Sequence, residues 1–131
     1  ELSLTGYTQP IKGIYTKDSM AEFSLNTEAF LGKNIAVSGG GWIRLLPWNT
    51  FMKPLIKKNL KESDFYALYI HPFELSRRPM PRVDEASFIT NIRARTGLGK
   101  VESKIEQLIE LLNAYEYECV TFSSILNSMQ V

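Results

Sequence analysis

The sequence holds one cysteine, Cys119, and one histidine, His71. A lone cysteine forms no internal disulfide, which excludes a small secreted scaffold held together by cross-links. One His and one Cys are too few for a zinc cluster of the usual His/Cys type, so no metal site is expected in this chain. No apolar run approaches the roughly 20 residues of a spanning helix, and no secretory leader pattern opens the sequence. No membrane insertion and a cytoplasmic location are therefore expected. Charge of one sign is also missing: 15 Lys+Arg stand against 14 Asp+Glu, a net charge of +1. That balance argues against a protein whose main task is to coat nucleic acid or an anionic membrane. There is no internal repeat and no low-complexity linker. What remains is 131 residues with 44% hydrophobic content, enough for one globular unit with a core.

The small net charge hides a segregation. Residues 33–100 carry twelve Lys/Arg against five acids, whereas 101–118 carry one Lys against five Glu. The basic middle is either an asymmetry of solvated faces or an attractor of an anionic or polar polymer. Within it, the Lys53, Lys57, Lys58, Lys61 group reads as a solvated helix face rather than a nucleic-acid site. The Arg77-Arg78 pair reads as a solvated loop.

Residues 1–20, rich in Gly, Thr, Pro and Lys, read as an irregular lead-in. Residues 22–27 alternate polar and apolar at period two, a half-buried strand, and Ile35-Ala36-Val37 reads as a second. From Trp42 to Asn59 the apolar spacing is helical, with Pro54 expected to kink or split the helix. Phe65-Tyr66-Ala67-Leu68-Tyr69-Ile70 has no charge and reads as a strand buried on both faces. Asp84 is the expected N-cap of a helix through Phe88, Ile89 and Ile92 that stops near Gly97. Val101 to Tyr115 is the clearest helix, 119–122 reads as a short buried strand, and Ser123 or Ser124 caps a last helix. The alternation predicts an α/β fold with mostly parallel strands flanked by helices. A full (β/α) barrel takes about 250 residues, so the chain matches half of one.

In such folds ligands meet the C-terminal ends of parallel strands. The 65–70 segment ends in His71-Pro72-Phe73-Glu74, which puts the lone histidine at that place. An imidazole moves protons near neutrality, although a single histidine is often only a cap or a core residue. Glu74 is close enough to orient it, or is a plain surface carboxylate. The run Ser38-Gly39-Gly40-Gly41 allows close approach of backbone to another group. It matches neither dinucleotide-binding nor P-loop spacing. Trp42 either stacks on a sugar ring or anchors the next helix in the core. Arg44 pairs either with a carboxylate of the fold or with an anionic substrate.

Taken together, Ser38-Gly39-Gly40-Gly41-Trp42-Ile43-Arg44-Leu45-Leu46-Pro47, then Tyr69-Ile70-His71-Pro72-Phe73-Glu74, then Arg82, resemble a known family. They are similar to the C-terminal portion of bacterial polysaccharide deacetylases of carbohydrate esterase family 4, in the subgroup tied to exopolysaccharide and O-antigen loci. The likeness spans about residues 20–126 in the same order. It implies the C-terminal half of a distorted (β/α) barrel, and metal-dependent removal of acetyl groups from N-acetylated sugars in a polysaccharide. By resemblance, Leu68-Tyr69-Ile70-His71 matches the strand-end motif that supplies the general acid, so His71 inherits that role. Trp42, Gly40, Gly41, Arg44, Leu68 and Glu74 fall where the substrate pocket would be walled.

The family's aspartate base and Asp–His–His metal site come from N-terminal motifs that this sequence does not contain. The resemblance therefore implies part of a longer enzyme that carries a divalent metal (Zn, Co or Ni) elsewhere, and a chain inactive alone. The alternative is a non-catalytic carbohydrate-binding or scaffold module. A half-barrel would leave sheet faces bare, and a homodimer is expected to cover them.

Overall fold

The computed structural model describes residues 5–76, 78, 81 and 84–129. Arg77, within the basic pair, and Arg82, within the resemblance, lie outside the described residues.

The N-terminal region is a three-stranded antiparallel meander: β1 (Thr8–Ile11), β2 (Ile14–Lys17) and β3 (Met20–Phe23). A two-stranded hairpin follows, β4 (Thr27–Phe30) and β5 (Lys33–Ala36), with Phe30 paired to Lys33 across the turn. Both of its turn residues have positive φ, Leu31 at 48° and Gly32 at 75°. That is the primed turn whose twist matches antiparallel strands.

The helices come next: α1 (Gly40–Leu45), a π-helical turn (Trp48–Met52) that runs into α2 (Lys53–Glu62), and a 3-10 turn (Pro72–Leu75). Then come α3 (Phe88–Arg95), a 3-10 turn (Leu98–Lys100), α4 (Val101–Ala114) and α5 (Phe122–Met129). No helix among the described residues is long and apolar enough to cross a membrane.

The expected half-barrel of mostly parallel strands is overturned. Both sheets of the described residues are small and antiparallel, of three and two strands. Residues 8–23, expected to be largely irregular, form the meander. Its short strands reverse at tight turns through Gly13 (φ 88°) and Asp18 (φ 52°), while Thr8 and Thr16 face each other across β1 and β2. The homodimer expectation rested on the open faces of that half-barrel, a sheet that the described residues do not form.

The uncharged segment 65–70 joins no ladder. It makes one isolated parallel bridge, Gly39 with Tyr69. Two of its other backbone groups are met by a side chain. Asn26 Nδ2 donates to the Phe65 carbonyl at 2.9 Å, and Asn26 Oδ1 accepts from the Ala67 amide at 3.0 Å. One buried amide thus replaces a neighbouring strand. Nor is the segment buried on both faces, because Leu68 and Tyr69 are exposed.

Residues 119–122 are likewise exposed and lie outside any strand. Thr121 caps α5 through Ser124 N to Thr121 Oγ1 at 3.1 Å, in place of Ser123 or Ser124. Ser87 rather than Asp84 caps α3, accepting from Thr90 N at 3.2 Å. The Trp42–Asn59 helix is split, but at Leu46-Pro47 and not at Pro54. α1 stops at Leu45, and α2 restarts with Pro54 in its first turn, where a missing N–H costs nothing.

The core lies between α2 and α4 and is closed by α1. Met52, Ile56 and Leu60 meet Leu108 and Leu111, with Val37, Ile43 and Trp48. Tyr117 closes the far end, donating to the Leu60 carbonyl at 3.2 Å. α5 docks separately, Phe122 stacking on Phe23 with ring centroids 4.3 Å apart. On the basic face of α2, Lys58 pairs with Glu28 at 2.8 Å.

Candidate functional site

The site forms where the glycine run meets the 65–75 segment. Tyr69 N donates to the Ser38 carbonyl at 3.0 Å, and Gly40 N donates to the Tyr69 carbonyl at 2.7 Å. α1 therefore begins against the backbone of the segment that ends in His71. Gly40 is needed for space. A Cβ on Gly40 would run into the Glu74 carboxylate, and one on Gly41 would stand 3.7 Å from Glu74 Oε1. Gly40 is buried and makes room for Glu74, whereas a Cβ on the half-buried Gly41 would be at ordinary contact distance from it.

Glu74 is 1% exposed and Arg44 6%. Arg44 Nε lies 3.5 Å from Glu74 Oε1, a buried ion pair without hydrogen-bond geometry. The far end of Arg44 donates to the Arg93 carbonyl at 2.6 Å and to the Thr96 carbonyl, satisfying the C-terminal end of α3. Of the two readings open for Arg44, the pairing within the fold is the one the structure takes. Glu74 Oε2 in turn accepts from the His71 backbone amide at 3.0 Å, and Glu74 N donates to the His71 carbonyl at 2.9 Å. Glu74 thus fixes the His71 backbone rather than its ring. Arg44 and Glu74 are a buried clamp, and their influence on a ligand passes through His71.

The ring of His71 stands outside. Tyr69 and His71 stand on extended backbone and Phe73 in the 3-10 turn that follows, and their three rings meet. The Tyr69 and His71 rings meet edge to face with centroids 4.7 Å apart, and His71 stacks on Phe73 at 5.3 Å. The Tyr69 hydroxyl lies 3.1 Å from His71 Nε2 and 3.3 Å from Nδ1. The result is a surface stripe in which an imidazole stands between two aromatic rings. Its signal in the sequence is Tyr-x-His-x-Phe at period two.

Trp42 is 42% exposed, so it does not anchor the helix; Trp48, 6% exposed, takes that place in the core. Leu68 is also exposed. Among the described residues the ring contacts of His71 are Tyr69 and Phe73. Behind the stripe, Tyr66 donates to the Val37 carbonyl at 2.6 Å, and burial pushes its hydroxyl well above its ordinary range.

Among the described residues no three His, Cys, Asp or Glu side chains are grouped as a metal needs. Glu74, the nearest carboxylate, is committed to Arg44 and to the His71 amide. The residues present do not fit the divalent metal that the resemblance implies.

The model of a domain of unknown function, DUF3473, matches residues 5–123. The chain belongs to the DUF3473 family. That span takes in the meander, the glycine run, the clamp and the stripe, so all of them are parts of one family unit. No curated protein and no solved structure matches the chain.

Proposed function

We propose that this DUF3473 chain supplies the general acid and part of the sugar-contacting wall of a metal-dependent polysaccharide N-deacetylase, with the metal held outside residues 1–131. The observation that carries the reading is His71. It is the lone histidine, its ring is exposed, its backbone is gripped by the buried Glu74, and aromatic rings flank it on either side. An imidazolium in that position gives its proton to the nitrogen leaving an acetamido carbon. Tyr69, Phe73 and Trp42 offer faces to the C–H side of pyranose rings. The chemistry assigned to this chain is that proton transfer alone.

In an intact enzyme containing this chain, His71→Ala lowers kcat for acetate release from an N-acetylated oligosaccharide by about 10²–10⁴-fold. KM changes little, because the stacking faces remain. A variant with unaltered kcat refutes the acid role.

The exposed aromatics also favour a second reading, a non-catalytic carbohydrate-binding module. In that case His71→Ala leaves hydrolysis intact, while Tyr69→Ala abolishes retention on the glycan.

A further inference from the structure

A separate cleft lies at the other end of α1. It has a volume of about 900 Å³ and runs between Arg44–Thr50 on one side and Arg95–Lys100 with Lys104 on the other. That is within the size range of small-molecule sites. Its floor is apolar, with Leu46, Pro47 and Leu98. Arg95, Lys100 and Lys104 line it, and no Asp or Glu does.

Three features distinguish it from an ordinary solvated basic face. Arg95 and Lys100 take part in no ion pair among the described residues, in contrast to Lys58 of α2, which Glu28 neutralises. Lys104 is fixed, its ammonium donating to the carbonyls of Ile43 at 2.7 Å, Arg44 at 3.1 Å and Leu46 at 2.8 Å. Burial, and after it the Lys100 charge, hold the Lys104 amine below its ordinary range. Positive charge is thus crowded over a partly dry floor, an arrangement that an anion relieves. Gly97, at φ 78°, turns the chain tightly beneath Arg44 and brings the Leu98–Lys100 backbone to the rim.

We propose that this cleft binds an anionic group, a carboxylate or a phosphate, on a ligand of oligosaccharide or nucleotide size. The site shares no residue with the Tyr69–His71–Phe73 stripe, so it stands or falls apart from the deacetylase reading.

Amide NMR of the chain, titrated separately with trigalacturonate, inorganic pyrophosphate and neutral chitotriose, tests it. Saturable shifts at the Gly97, Gly99 and Lys100 amides are expected with at least one anion and absent with chitotriose. A response to trigalacturonate alone assigns a sugar carboxylate, and a response to pyrophosphate alone assigns a phosphate. The double variant Arg95→Glu/Lys100→Glu, at exposed positions that leave the Lys104 anchor in place, should keep its amide dispersion and bind about tenfold or more weakly. Added salt should weaken the wild-type complex. No saturable shift with either anion, an equal shift with chitotriose, or undiminished binding by the folded variant overturns the proposal.

Discussion

His71 and Glu74 stand three residues apart and belong to different worlds. Glu74 is 1% exposed and bound to Arg44, while the His71 ring is open to solvent between Tyr69 and Phe73. The 3-10 turn starting at Pro72 makes the change possible, because it sends one side chain inward and leaves the other outside. A buried charge pair holds one geometry, and an exposed stripe keeps its faces free for contact. Substitutions inside should therefore unfold the chain, and substitutions outside should change only what it touches.

The sharpest test of that contrast is the clamp. Glu74→Ala leaves Arg44 charged, 6% exposed and without its counter-ion. Removing one partner of a buried pair costs about 3–5 kcal/mol, a large part of a domain's stability, measurable by urea denaturation. Arg44→Ala should cost at least as much, since the C-terminal carbonyls of α3 lose their donor as well. Loss of less than about 1 kcal/mol in both, within the range of exposed pairs, would show the clamp to be solvated in solution.

Gly40→Ala comes next. Its methyl would meet the Glu74 carboxylate, which cannot retreat without leaving Arg44 or the His71 amide. Overpacking of this kind costs about 1–3 kcal/mol. Gly99→Ala is the control, since nothing lies within 4 Å of its added Cβ.

Much of this contrast was hidden in the sequence, for physical reasons. The single histidine at the end of an apolar segment was legible, as was the period of α4. That the Trp42–Asn59 stretch would not be one helix was legible, but its break falls at Leu46-Pro47, while Pro54 is accommodated in the first turn of α2. Strand direction was not. Alternating apolar blocks suggest parallel units, yet Asn26 gives Phe65 and Ala67 the hydrogen bonds a neighbouring strand would supply, and no composition rule foresees that. The meander was missed because strands of four residues between tight turns carry little periodicity. Trp42 and Trp48 look alike in sequence, and only packing separates the exposed ring from the buried one. The fate of Arg44 depended on Glu74, thirty residues away, turning inward.

Tyr66 stands at the buried end of the same segment and sharpens the comparison through pH. Its hydroxyl donates to the Val37 carbonyl at 2.6 Å, and burial raises its ionisation well above the ordinary value of 10.0. Tyr66→Phe should cost about 1 kcal/mol at neutral pH, the worth of one hydrogen bond. The alkaline consequence has a definite sign. Above the unfolded value the unfolded chain loses the Tyr66 proton while the folded chain keeps it, so the unfolded state binds fewer protons and stability falls as pH rises. The contribution is full below pH 10 and lost above it. Denaturation monitored from pH 8 to 11 should show the wild type losing more of its stability than Tyr66→Phe. Equal losses would mean that the Tyr66 hydroxyl is solvated.

The smallest effect on stability is expected at the stripe, and that smallness is its meaning. His71→Ala removes an exposed ring whose partners are the exposed Tyr69 ring and the half-buried Phe73 ring, while the backbone bond to Glu74 survives because it uses the His71 amide. Surface substitutions of this kind usually stay within about 0.5 kcal/mol. Tyr69→Ala should behave alike, since the parallel bridge to Gly39 is made by backbone alone. A loss beyond about 2 kcal/mol in either variant, a size that calls for a buried role, would erase the distinction between clamp and stripe. With stability preserved, loss of acetate release in the intact enzyme for His71→Ala, and loss of oligosaccharide-induced NMR shifts in the chain for Tyr69→Ala, would each be effects on contact and chemistry, not on folding.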